Sequence, residues 1–338
     1  MRKTVALRDD ALRDALDRAA EALERADHVA LACHVNPDAD AMGSMLALAC
    51  FLARQGKRVA ATWPGGIEGA PRWASLLPGR EHVVAPGDMP KEPPVLVALD
   101  TADIKRLDGL AHLVKRAGTV IVVDHHVTNT GFGTIDLIDP HAAATAQLVY
   151  VLIERMGGRL DPDTAACLYA GLVTDTGRFQ FSNTTPEVLR IAARLREEAF
   201  DHVALSQALY EDNSLPYLRV VGKVLERATH EPAANLVWTY LTRSDLDAAG
   251  IGIDETEDLI DLVRTAREAD VAAVLKEQPN GGFKVSLRSR GGTDVGSVAA
   301  SFGGGGHRLA AGYSSKAGLE GTVEALLDAL SSGRTPSA

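Results

Sequence analysis

The strongest constraint on the fold is a set of short, unbroken apolar runs that each stop at an acidic or imidazole side chain. His28–Cys33, Val95–Leu99 and residues 119–123 are all of strand length, and they run into His34, Asp100 and Asp124. A segment apolar at every position cannot leave one face in water, so each reads as a strand covered on both sides, as in a parallel sheet. Between them, residues 9–26 carry Leu12, Leu16, Ala19, Ala20 and Leu23 at helical spacing, 41–55 read as an apolar helix and 58–63 as another strand. The alternation predicts an α/β domain, a parallel sheet with helices on both faces. Ligand sites in such sheets lie beyond the carboxyl ends of the strands, which is where these polar residues fall.

The remainder of the chain repeats the theme on a smaller scale. Residues 142–227 read almost wholly as helix, with Pro162, Pro186 and Pro216 at helix starts. Strand signals return at 235–242, 271–277 and 283–288. A length of 338 residues suits two cores better than one. The expected division is a catalytic domain over 1–200, a helical connector over 201–225 and a smaller C-terminal α/β domain over 226–332, with the active site in the cleft between the domains. Residues 331–338 read as a frayed end.

Four clusters carry the chemistry. His34, Asp38 and Asp40 occupy one irregular loop, in which Pro37 favours an extended bend at Asn36. Asp100 ends one strand, Asp124, His125 and His126 end the next, and Asp175 ends an apolar helix. Each alone fits a cap or a turn. Together they put five carboxylates and three imidazoles at one sheet edge, where they would repel one another unless cations intervened. Oxygen and imidazole donors without thiolate suit Mn²⁺, with Mg²⁺, Fe²⁺ or Co²⁺ as substitutes. The donors outnumber the needs of one ion, so two ions sharing a phosphoryl group are expected. His28, His82, His112, His141, His202 and His230 lack a carboxylate constellation and read as surface or satisfied groups.

Charge narrows the class of partner. The chain carries a net −10. Proteins that grip long nucleic acid usually draw most of their affinity from phosphate neutralisation by a basic surface, so such a role is not expected. Small phosphorylated substrates remain, since bound metals supply local positive charge. Cys33, Cys50 and Cys167 are scattered in apolar surroundings and read as small buried residues of a reducing, cytoplasmic compartment. The first ten residues lack a signal-peptide core, and no apolar run has membrane-spanning length, so no membrane partner is expected.

In order and spacing, His34-x-Asn-Pro-Asp38-x-Asp40, Asp100, Asp124-His125-His126 and Thr174-Asp175-Thr-Gly resemble the four motifs of the DHH phosphoesterases. Gly303-Gly-Gly-Gly306-His307-Arg-Leu-Ala-Ala-Gly312 resembles the signature of the DHH-associated C-terminal domain. The likeness spans nearly the whole chain. The run from Asp175 to Thr184 is most similar to the bacterial nano-RNase branch, oligoribonucleases that also dephosphorylate 3′-phosphoadenosine 5′-phosphate. The resemblance implies one metal on His34, Asp38 and Asp100 and a second on Asp40, Asp100, His125 and Asp175, with Asp100 bridging. It leaves His126 to face the phosphate and Asp124 to orient its neighbours. Its implied substrates are short RNA or DNA oligonucleotides and small phosphorylated nucleotides. The oligomeric state stays open, a homodimer included.

In the second domain, successive amides of Gly303, Gly304, Gly305 and Gly306 are expected to form an anion-binding concavity, with His307 beside it. Lys284, Arg288, Arg290 and Arg308 concentrate positive charge nearby, and Arg264 is a further candidate on the preceding helix. Arg288 and Arg264 therefore join the expected substrate-binding set, against the alternative that they are solvated surface charges. Phe302 fits core better than a stacking platform. The rival readings are a phosphodiesterase for linear or cyclic dinucleotides, an inorganic pyrophosphatase, which would not be expected to carry the glycine signature, and a non-catalytic metal-bound nucleotide sensor. Hydrolysis by a two-metal centre, the activity of a nanoRNA exoribonuclease, is the favoured expectation.

Overall fold

The computed structural model describes residues 9–67 and 70–332. The reading of residues 1–8 as free of a signal peptide, and of 333–338 as part of a frayed end, lies outside the described residues, whereas 331 and 332, also read as frayed, are helical. Packing divides the chain into two units, Met1–Asp212 and Asn213–Ala338. Among the described residues no helix is long and apolar enough to cross a membrane.

The first unit holds a five-stranded sheet in the order β2-β1-β3-β4-β5, formed by β1 (His28–Cys33), β2 (Arg58–Thr62), β3 (Val95–Leu99), β4 (Thr119–Asp124) and β5 (Ile135–Ile138). All its pairings are parallel. Side chains alternate between faces along each strand. Val29, Leu31 and Cys33 enter a large core with α1 (Asp10–Arg25), α2 (Ala39–Arg54), α4 (Thr145–Arg155) and α5 (Pro162–Asp175), and α6 (Pro186–Leu195) adds Val188, Ile191 and Leu195. Ala30 and Ala32 face the other way, into a smaller core with Leu107, Leu110 and Leu113 from a 3₁₀ turn (Ile104–Leu110) and α3 (Ala111–Val114). Both faces are therefore covered, one by full helices and the other by short turns. The chain leaves β1 toward the first face and β3 toward the second, so the ends of these neighbouring strands form a topological switch point, the usual place for a crevice. His34 and Asp100 stand there.

α2 and α5 pack against each other more extensively than any other two helices of this unit. Their closeness depends on glycine. A Cβ at Gly43 would stand 2.4 Å from the Cys167 carbonyl oxygen, and one at Gly171 would stand 2.5 Å from an Asp40 carboxylate oxygen. The same two helices carry Asp40 at one end and Asp175 at the other, so their spacing sets the distance between site residues.

The second unit holds a six-stranded mixed sheet, ordered β10-β11-β9-β8-β7-β6, from β6 (Thr229–Glu231), β7 (Leu236–Leu241), β8 (Val271–Glu277), β9 (Phe283–Ser289), β10 (Gly305–His307) and β11 (Ala310–Ser315). Only β7 and β8 pair in parallel. One face packs on α11 (Val295–Ser301) and α12 (Leu319–Ser332), the other on α8 (Leu215–Glu226), α9 (Arg243–Ala249) and α10 (Leu259–Val263). Residues 201–225 contain α7 (His202–Tyr210), whose Leu205 joins the first unit's core, and most of α8, whose Tyr217, Val220 and Val224 join the second unit's.

Gly43→Ala is expected to force α2 and α5 apart at a backbone carbonyl that cannot rotate away, lowering stability by about 1–3 kcal/mol. Thermal or urea unfolding of the purified variant checks this; an unchanged midpoint would show that the helix pair has slack.

Candidate metal centre

Each site residue is placed by a local device. Asp38 caps α2, its Oδ1 accepting from the amides of Asp40 (3.1 Å) and Ala41 (3.0 Å), which leaves Oδ2 to face His34. The cap and the candidate ligand are thus one carboxylate. Asn36, expected extended before Pro37, instead has φ 52°, the left-handed region that asparagine tolerates. Asp40 is fully buried and accepts from Ser44 Oγ (3.2 Å) and from the amides of Ala146 (2.9 Å) and Thr145 (2.6 Å). α4 is preceded by Ala144, which has no capping side chain, so Asp40 of another helix satisfies its first amides.

Asp100 carries the ladder one residue past β3, its amide donating to Val123 O at 2.9 Å, and then turns with φ 53°. Its carboxylate, 1% exposed, accepts from Thr145 Oγ1 at 2.9 Å. Oδ2 lies 3.5 Å from His34 Nε2, while Oδ1 lies 3.6 Å from His125 Nε2 and 3.6 Å from His126 Nδ1. His125 Nε2 also lies 3.2 Å from Asp175 Oδ2 and 3.9 Å from Asp40 Oδ2. His126 Nδ1 bonds Asp124 Oδ1 at 2.8 Å, and the other oxygen of buried Asp124 accepts from Asn129 Nδ2 at 2.6 Å.

Two triads result, His34/Asp38/Asp100 and Asp40/His125/Asp175. Within each, one donor atom per residue lies within 4.8 Å of the others. That spacing matches ligands about 2.1 Å from a common centre. The donor set of carboxylates and imidazoles fits hard-to-borderline divalent cations. A third overlapping group joins Asp100, His125 and His126. Geometry thus gathers every residue of the expected metal set in the first unit and places Asp100 next to both triads.

The electrostatics of the protein alone are those of a cluster that lacks counter-charge. Burial, aided by Asp175 and Asp100, pushes the Asp40 carboxyl well above its usual range. Burial and the charges of Asp38 and Asp100 raise Asp175 to about 6, against the pull of His125. Burial opposes charge on His125, but its bond to Asp175 and the field of Asp40, Asp175 and Asp100 lift it to about 10. Burial likewise works against Asp100, yet its bond with His34 and the charges on His125 and His126 hold it below the carboxylate norm. The bond to Asp124 chiefly raises His126. Protons here do in part what cations would do fully.

The second unit's candidates lie differently. The four-amide concavity is corrected: Gly303 N–H donates to Ala300 O (3.0 Å) and Gly304 N–H to Ala299 O (2.9 Å), closing α11. Gly305 and Gly306 enter β10, at the sheet edge, with His307 opposite Ala310. Gly306 has φ 144°, and a Cβ at Gly304 would lie 2.2 Å from Gly312 O, so the strand crossing itself demands these glycines. Arg288 Nε and Arg264 Nε converge on Asp261 Oδ1 at 3.5 and 3.9 Å. Lys284 pairs with Glu257, Arg290 donates to Ala266 O and Arg308 to Gly291 O. The expected basic patch is thus interleaved with acids and carbonyls. Phe302 stacks on Tyr313 (centroids 4.4 Å apart) at the edge of the core.

Thr145, Asn129 and Arg106, whose Nη2 lies 2.8 Å from His34 Nδ1, were missed by sequence reasoning. Thr145 stands in a small-residue run and Asn129 in a turn-forming one, so neither composition nor period marks them.

Residues 28–172 match the DHH family, N-terminal domain, and 249–332 match the DHHA1 domain. The chain is 38% identical over 303 residues (89% of this chain, 88% of the other) to the bifunctional oligoribonuclease and PAP phosphatase NrnA of Thermus thermophilus. It is 27% identical to the protein of that name from Bacillus subtilis, over 85% of this chain and 89% of the other. Among solved structures, an exopolyphosphatase-related protein from Bacteroides fragilis superposes with a TM-score of 0.89 at 28% identity, covering 98% of each chain.

Ligation by His125 requires its neutral ring, so cation uptake below about pH 10 must release a proton. Mn²⁺ affinity is therefore expected to rise with pH through the neutral range, and more steeply below about 6, where Asp175 also holds a proton. Titration calorimetry in buffers of different ionisation enthalpy reads the proton count; a pH-independent affinity would contradict the ligand set.

Proposed function

Because the chain belongs to the DHH family of phosphoesterases, we propose that it hydrolyses short oligoribonucleotides from an end, and 3′-phosphoadenosine 5′-phosphate, at a two-manganese centre. The observation that carries this reading is Asp100, whose two oxygens face different triads. One cation would be held by His34, Asp38 and Asp100, the other by Asp40, Asp100, His125 and Asp175. Manganese is preferred because imidazole is a poor ligand for magnesium. When bound, such a pair neutralises phosphate charge and lowers the pKa of a water near the phosphorus.

The remaining work falls to the protein. Thr145 and Ser44 hold the Asp100 and Asp40 carboxylates in their rotamers. Asp124 keeps the His126 proton on Nδ1 and raises the ring's basicity, and Asn129 fixes Asp124 in turn. His126 then steadies charge on the phosphate or gives a proton to the leaving oxygen. Arg288, Arg264 and His307 supply contacts to the terminal nucleotide. A cytoplasmic setting suits its three buried, unpaired cysteines.

Asp100→Ala and Asp175→Ala are expected to abolish turnover and lower bound manganese, whereas His126→Ala slows turnover about 10²–10⁴-fold with metal retained. Metal analysis beside product analysis on two- to ten-nucleotide RNAs, phosphoadenosine phosphate and pyrophosphate tests this. A fully metallated, active Asp100→Ala protein would overturn it. The rate should also fall with RNA length, because a net charge of −10 offers long strands no counterion-release gain. His307→Ala should raise KM without metal loss; a rate that climbs steadily with length, or an unaltered His307 variant, would refute the nucleotide role of the second domain.

A further inference from the structure

Arg106 stands at the rim of the first triad with almost nothing to hold. Its backbone is anchored, the carbonyl accepting from Val35 N–H at 2.9 Å and the amide donating to Asp103 O at 2.9 Å. This ties the 3₁₀ turn after β3 to the loop after β1 and delivers the guanidinium to the His34 ring. There Nη2 lies 2.8 Å from Nδ1; among the described residues this is its one side-chain hydrogen bond and it forms no ion pair. The side chain is exposed, although Asp38 and Asp100 face the same imidazole from its Nε2 edge.

That hydrogen bond conflicts with ligation. His34 Nδ1 also lies 2.8 Å from Val35 O. One ring nitrogen cannot donate to a carbonyl and accept from a guanidinium at once. An imidazole whose Nε2 lone pair is given to a cation held beside Asp38 and Asp100 carries its proton on Nδ1 and donates it to Val35 O. Arg106 then confronts another N–H and loses its acceptor. A guanidinium offers five donors in a planar fork, for which a phosphate with two free oxygens is the matched partner.

We propose that Arg106 is a phosphate-binding residue of the centre, taking a non-bridging oxygen of the substrate phosphate once His34 is committed through Nε2. The proposal rests on the phosphoesterase reading for the identity of its ligand, and it gives the first triad the anion-selective group that its carboxylates cannot supply. It also makes phosphate affinity dependent on metal loading, since only then is the arginine released.

The test compares wild type with Arg106→Gln and Arg106→Lys, each loaded with manganese, using inorganic phosphate as the probe in calorimetry and metal analysis on the same samples. Arg106→Gln should keep the wild-type manganese content while its phosphate Kd rises about 10-fold or more, and Arg106→Lys should recover part of the loss. On a diribonucleotide, Arg106→Gln should raise KM and lower kcat/KM by a similar factor. Phosphate affinity within twofold of wild type in Arg106→Gln, or no phosphate binding by wild type, overturns the proposal. So does manganese loss in that variant, which would make Arg106 a prop for His34. Wild type that binds phosphate through Arg106 yet cleaves no nucleotide would leave this assignment standing and remove the proposed substrate instead.

Discussion

The Asp100 carboxylate, nearly inaccessible to water and set between the His34 and His125 imidazoles, is the constraint around which the first domain is arranged. A buried anion of this kind is costly unless every lone pair is matched. Here Thr145 Oγ1 supplies one hydrogen bond, and imidazoles approach each oxygen. The sheet explains why the residue can be there at all. Its strand is central, buried on both faces, and the ladder bond to Val123 O holds the turn at φ 53°. The neighbouring connections diverge to opposite faces and open the space that the carboxylate enters.

Structural and chemical duties are combined in the same side chains. Asp38 caps a helix with one oxygen and faces His34 with the other. Asp40 satisfies the first amides of α4 while approaching His125. This economy makes the ligand positions rigid, because moving either carboxylate would uncap a helix. It also accounts for Gly43 and Gly171, which let α2 and α5 approach closely enough for Asp40 and Asp175 to share one imidazole.

Much of this was legible in the sequence because strand-length apolar runs ending in Asp or His are both a fold signal and a site signal. β1, β3 and β4 follow from unbroken apolar runs, and the strand signals at 235–242, 271–277 and 283–288 fall on β7, β8 and β9. β5, only four residues with Asp136 inside, carries too little pattern to stand out, and β10 is hidden by glycines that disfavour strands in isolation. Arg106, Asn129 and Thr145 escaped notice because their roles depend on what lies across space from them. The glycine run shows the opposite hazard: its composition suggested an anion cradle, but two of its amides close a helix and its third and fourth residues pair with β11.

Two cations sharing Asp100 are the feature on which the proposed chemistry depends. Electron paramagnetic resonance of the wild-type protein titrated with Mn²⁺ reads this directly. Two ions about 3.5–4 Å apart through a common carboxylate should give an exchange-coupled signal that saturates at two manganese per chain. A spectrum of isolated, uncoupled Mn²⁺ at saturation, or a stoichiometry of one, would contradict it.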